Sequence, residues 1–248
     1  MALQVTLFTV FIAALITALT TGLGAIPLAF SKHVGKKWLS VGAAVAAGLM
    51  LAASHSLVEE GMAKQEWLSF AGIVAGLIFV YLAYQWIEKQ GAPDVSELNS
   101  ADTKKALMIV GVMTAHSFAE GIGVGVSYGG GQELGVFITA AIAVHNIPEG
   151  LAIALILVPR GISVMKAAGW SIFSSLPQPL VAVPAYIFVN TFEPILPFGL
   201  GLAAGAMIWM VFAELLPDAN KELQPSNVGA IVVLAFMGMM AFQISIHS

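Results

Sequence analysis

Eight mainly apolar stretches, each about as long as a membrane-crossing helix must be, dominate this sequence. They run approximately over residues 4–30, 38–58, 67–87, 105–127, 133–157, 165–190, 195–216 and 227–246. A helix that crosses a bilayer needs about 20 such residues. The connections are short. The longest, 88–104, carries Pro93, Asp94, Glu97, Asn99 and Asp102 and reads as a polar surface linker. The chain is 58% hydrophobic and 10% charged, with a mean hydropathy of +0.90, whereas soluble domains carry roughly 25% charged residues. The expected fold is therefore all-α: a polytopic membrane protein of eight transmembrane helices with short loops, forming a single transmembrane domain over 1–248. The N-terminus has no basic leader and no A-x-A-like cleavage site, so the first apolar run reads as a retained span.

The basic residues give the expected orientation. Lys32, Lys36, Lys37, Lys89, Lys104, Lys105, Arg160, Lys166 and Lys221 all fall in odd-numbered loops, and Lys64 alone falls in an even-numbered one. Positive charge stays cytoplasmic, so eight spans with both termini outside put nine of the ten Lys and Arg residues on the inner side. A seven- or nine-span arrangement loses this phasing. Small residues crowd the spans at Gly42-Ala43-Ala44, Ala46-Ala47-Gly48 and Gly199 to Ala206, which predicts close helix packing. No basic patch marks a nucleic-acid surface, and no phosphate-binding loop marks an ATP-driven pump.

Two near-copies of one motif carry the chemistry: His116-Ser117-Phe118-Ala119-Glu120-Gly121 and His145-Asn146-Ile147-Pro148-Glu149-Gly150. Residues four apart share one helix face, so each segment presents an imidazole and a carboxylate to the same side. Such groups are costly in hydrocarbon and belong against protein or a water-filled path. Both motifs lie near the centres of spans four and five, which pack antiparallel with the motifs level. Two such faces make a nitrogen and oxygen site suited to a divalent metal. With no cysteine in the chain, thiolate ligands are excluded. The candidate ligands are His116, Glu120, His145 and Glu149, with Asn146 and Ser117 beside them. Pro148 removes one backbone hydrogen bond and is expected to free the carbonyl of Val144.

Further candidates lie on other spans. His55, Glu59 and Glu60 end span two as an acidic mouth that concentrates cations. Met50, deeper in the same span, is a candidate soft ligand. In span six, Pro177-Gln178-Pro179 predicts a broken helix, with Gln178 offering an amide oxygen. Glu214, near the inner end of span seven, reads as a relay on the exit path.

The paired motifs on the fourth and fifth of eight spans resemble the ZIP (Zrt-/Irt-like) family of divalent metal transporters, and the short loops look like its prokaryotic or GufA-like branch. The resemblance covers the whole chain, including Ala47 to Ser54 and Ala203 to Ile208. It implies a mid-membrane site, often binuclear with bridging glutamates: one metal on His116, Glu120, His145 and Glu149 with Met50, a second on Ser117, Glu120, Asn146, Glu149 and Gln178. It also implies zinc-type uptake toward the cytoplasm, homodimers and elevator-like movement of one helix group against another. The chain departs from the pattern in three places. Relatives often carry a glutamate where this chain has Gln178, which weakens a second site. They often carry a histidine before the glutamate of span seven, where Ala213 stands. The 88–104 loop has no histidine, so metal sensing by that loop is not expected.

The reading is thus a divalent metal carrier in the cell membrane, with an organelle membrane as the alternative. Zinc is the first choice of transported substrate, ahead of iron, manganese, cobalt or cadmium, and no cofactor is implied. Imidazole and carboxylate ligands bind metal deprotonated, so uptake should fall in acid. The alternatives are a cation channel using the same ligands and a membrane-embedded zinc hydrolase, against which the HExxH arrangement is absent.

Overall fold

The computed structural model describes residues 5–30, 36–89, 103–158 and 161–247. Among these the chain is helical, with no strand. The helices are α1 (Leu7–Leu23), α2 (Ile26–Phe30), α3 (Lys36–Lys64), α4 (Glu66–Lys89), α5 (Thr103–Gly129), α6 (Gln132–Leu157), α7 (Val164–Ser175), α8 (Pro177–Thr191), α9 (Leu196–Met210), α10 (Leu216–Ala219) and α11 (Pro225–His247). Each apolar run corresponds to one of these rods or to a broken pair of them. Most of the 88–104 linker, with Lys32 and Arg160, lies outside the described residues.

Seven helical segments are long and apolar enough to cross a membrane: Leu7–Phe30, Lys37–Lys64, Glu66–Trp86, Gln132–Leu155, Val164–Thr191, Glu193–Ala219 and Pro225–Ser245. The chain is a multi-pass membrane protein. To these α5 adds 27 residues. The aromatic residues fit the same picture. Trp67 and Trp86, both strongly exposed on α4, are separated by about 28 Å at about 1.5 Å rise per residue, close to the roughly 30 Å hydrocarbon thickness whose boundaries favour tryptophan.

Local chemistry explains the breaks. Pro177 opens α8 immediately after Leu176, where the helix of α7 stops, because proline has no N–H to continue the ladder. Pro148 does not end its helix: α6 continues through it over 26 residues. Between α9 and α10, Val211–Leu215 forms a π-helical turn, which inserts one residue and rotates the following side chains. The α5–α6 turn at Gly130-Gly131 needs φ +130° at Gly131, a conformation open to glycine.

Two helix groups emerge from how closely the backbones meet. In one, α1 packs on α6 and α5 on α8; in the other, α4 packs on α9 and α3 on α11. Within each group glycines let backbone touch backbone. A methyl group added at Gly150 would overlap the carbonyl oxygen of Thr21, at Gly125 that of Ala182, at Gly72 that of Phe198, at Gly205 that of Ile73, and at Gly48 that of Val232. Across the groups the glycines meet side chains at wider spacing. The same methyl would stand 3.2 Å from the Pro148 ring at Gly42, 3.7 Å from Ala203 at Gly123 and 3.1 Å from Val126 at Gly199.

Candidate metal centre

The tight turn between α5 and α6 sets the two helices side by side and brings their motif faces together. His116 and Glu120 project from α5, His145 and Glu149 from α6. Glu120 Oε1 lies 3.3 Å from His145 Nε2 and 3.7 Å from His116 Nε2. The two imidazole rings face each other at 5.8 Å with a 34° tilt. One donor atom from each of the four residues falls within 4.8 Å of all the others. Four ligands at about 2.1 Å from a tetrahedral ion stand about 3.4 Å apart, so the donors already lie close to the spacing a bound cation requires.

Burial makes this arrangement unstable without one. Glu120 is fully buried, His145 is 2% exposed and Glu149 is 7% exposed. Among the described residues Glu120 Oε1, both carboxylate oxygens of Glu149 and both ring nitrogens of His145 have no hydrogen-bond partner. Each buried unsatisfied polar atom costs about 1–3 kcal/mol, and a charged one more. Two carboxylates and two imidazoles aimed at one point are a borderline ligand set, at home with zinc and its neighbours.

Behind Glu120 stands a second layer of polar groups. Gln178, in the first turn of α8, donates from Nε2 to Glu120 Oε2 at 2.6 Å. Its Oε1 accepts from the Thr17 hydroxyl of α1 at 2.5 Å and from Asn146 Nδ2 at 3.2 Å. Asn146 Nδ2 also donates to the Thr17 carbonyl at 2.8 Å. Gln178 is thus joined to the site through its N–H, and its carbonyl oxygen, expected to face a metal, is already engaged. Asn146 Oδ1 and Ser117 Oγ are buried without a partner among the described residues. Thr17 escaped the sequence reading. Its one available signal is a hydroxyl in mid-span, and hydroxyls in helices usually bond to their own preceding turn; here the single Thr17 proton is shared between the Ala14 carbonyl at 2.7 Å and Gln178 Oε1 at 2.5 Å.

Glu214 lies on the π-helical turn and reaches the other helix group, with Oε2 3.7 Å from His116 Nδ1. It borders the central cluster directly, nearer than the exit path expected from its place in the span. His116 stands between two carboxylates, Glu120 on one ring nitrogen and Glu214 on the other. Met50 is buried in the same core as Met207 and Met210. The span-two group stays apart from this cluster. His55 and Glu59 are 53% and 68% exposed with 3.9 Å between them, and Glu60 pairs with Lys64 at 2.9 Å.

The family model described as ZIP Zinc transporter matches residues 86–244. The chain belongs to the ZIP zinc transporter family. Family membership makes it a transporter rather than an enzyme. This ZIP chain is 46% identical over 242 residues to an Arabidopsis thaliana protein provisionally named a zinc transporter, covering 96% of this chain and 39% of that protein's length. It is 32% identical to the zinc transporter ZupT of Chlorobium limicola, over 92% of this chain and 93% of the relative. It is 30% identical to the zinc transporter GufA of Myxococcus xanthus, over 85% and 88%. The prokaryotic, GufA-like resemblance is thereby borne out.

Proposed function

We infer that residues 1–248 act as one transmembrane unit that carries a divalent metal ion, zinc first, toward the cytoplasm. The observation that carries this reading is the buried cluster of His116, Glu120, His145 and Glu149, whose donor atoms converge while lacking partners of their own. The names of the relatives support zinc as the substrate. On this reading α5 is an eighth span, both termini lie outside, and the exposed apolar faces of α4 and α11 meet lipid. The protein works as a homodimer in the cell membrane. The ion enters past His55, Glu59 and Glu60, sheds water onto the four central ligands, and leaves past Glu214. Ser117 and Asn146 are positions for a second, weaker ion, and Met50 is a soft neighbour.

Movement is of the elevator kind. Backbone-to-backbone glycine contacts lock α1 to α6 and α5 to α8, and likewise α4 to α9 and α3 to α11. Where Gly42, Gly123 and Gly199 face the other group, an added methyl would meet only side chains, at 3.1–3.7 Å, and such faces slide at lower cost because no interlocked backbone has to separate there. The metal ligands ride on the first group, and Glu214 belongs to the second.

Uptake of zinc, manganese, iron and cadmium into proteoliposomes tests the reading, with Glu120→Ala and Glu149→Ala beside the parent. Saturable uptake, lost in both variants and suppressed in acid, is expected. Absence of uptake by folded parent protein would overturn it, and ohmic conductance would make the protein a channel. Gly42→Leu, which wedges a side chain against Pro148, should slow uptake while metal binding persists. Uptake at the parental rate would count against sliding at that interface.

A further inference from the structure

The geometry points to Gln178 as the residue that sets metal preference, by holding one carboxylate oxygen of Glu120 away from the ion so that the centre presents four donors. This rests on the metal-carrier reading above and adds to it a residue that selects among metals. Gln178 is a positioning residue. It acts through Glu120.

The orientation of its amide follows from its partners. Gln178 Nε2 stands 2.6 Å from a carboxylate oxygen, which can only accept while ionised. On the other side its Oε1 meets a hydroxyl at 2.5 Å and an amide N–H at 3.2 Å. Reversing the amide would set oxygen against carboxylate and NH2 against NH2. Thr17 and Asn146 therefore hold the carbonyl, and the N–H is left facing Glu120. All four residues of this chain are fully buried, so water does not compete with the contact. Asn146 is itself anchored to the Thr17 backbone. The strap ties α8, α1, α6 and α5 together behind the site.

The consequence lies in the number of oxygens offered. A charge-assisted N–H···O bond of this length occupies one lone pair of Glu120 Oε2 and ties that oxygen to α8. Oε1 remains, unpartnered and 3.3 Å from His145 Nε2. Glu120 thus coordinates through one oxygen. With His116, His145 and one oxygen of Glu149, the set has four members, the number zinc prefers. Larger, harder cations take six or more oxygen-rich ligands and use carboxylates through both oxygens. Releasing Oε2 would let Glu120 bind through both oxygens and shift the preference toward manganese.

Cobalt(II) absorption reads this directly, because four-coordinate cobalt absorbs visible light far more strongly than five- or six-coordinate cobalt. The purified full chain would be titrated with Co2+, then Zn2+ and Mn2+ would be competed against it, in the parent, Gln178→Ala and Thr17→Val. The parent should give the strong four-coordinate spectrum. Gln178→Ala should lose most of that intensity and bind Mn2+ better relative to Zn2+. Thr17→Val, which keeps Gln178 but removes the shorter of the two bonds to its carbonyl, should move both readouts the same way by less, and serves if Gln178→Ala does not fold. General loosening would weaken every metal alike and leave the Zn2+ to Mn2+ ratio unchanged, which would overturn the inference. So would a weak, high-coordinate spectrum in the parent. A parent that binds none of the three metals would instead overturn the carrier reading itself.

Discussion

His55 and Glu59 repeat the spacing of His116 and Glu120 and of His145 and Glu149, yet the three pairs end in different surroundings. The span-two pair is more than half exposed and 3.9 Å apart. The other two are buried and face one another. Helical spacing puts a histidine and a glutamate on one face in each case. Whether that face becomes a binding site depends on a second helix bringing its own pair to the same depth. In water the exposed pair gains little, about 0–1 kcal/mol at most. In the interior the same groups lack partners and strongly favour a cation.

Substitutions sharpen this contrast. Glu120→Ala removes the carboxylate that touches both rings, and uptake should fall by more than about 100-fold with the protein still folded, as checked by proteoliposome transport and thermal melting. His145→Ala removes a ligand outright and should cost more than about 100-fold in zinc affinity, above the scale of groups that only orient one, measured by calorimetry. Glu214→Gln keeps the shape but removes the charge beside His116. A loss of about 10-fold in affinity is expected, on the scale of groups that orient a ligand. His55→Ala and Glu59→Ala should change uptake by no more than about twofold, and only at low ionic strength, because an exposed mouth acts by charge focusing. Equal losses at Glu59 and Glu120 would break the comparison and put the functional site in the wrong place.

The helices were legible because apolar length is a local property. The run read over 133–157 is α6 at Gln132–Leu157, and the break expected at Pro177 falls there. The four central residues were legible because the motif recurs, and a recurrence on neighbouring spans implies a shared face. Other features were not. Pro148 was expected to free the carbonyl of Val144, and how its ring would be accommodated was not legible: it lies against Gly42 of α3 within a continuous α6. The π-helical turn that swings Glu214 to His116 has no marker in the residues that form it, since one inserted backbone position alters the direction of every later side chain.

The sequence by itself determined which segments are helical, that they are apolar enough for a membrane, and that two histidines and two glutamates share helix faces. Each of these follows from residue type and spacing along one chain. Only the tertiary structure decided that Gln178 turns its N–H to Glu120 while Thr17, 161 residues away, holds its carbonyl. An amide is donor and acceptor at once, and its orientation depends on partners brought to it by other helices.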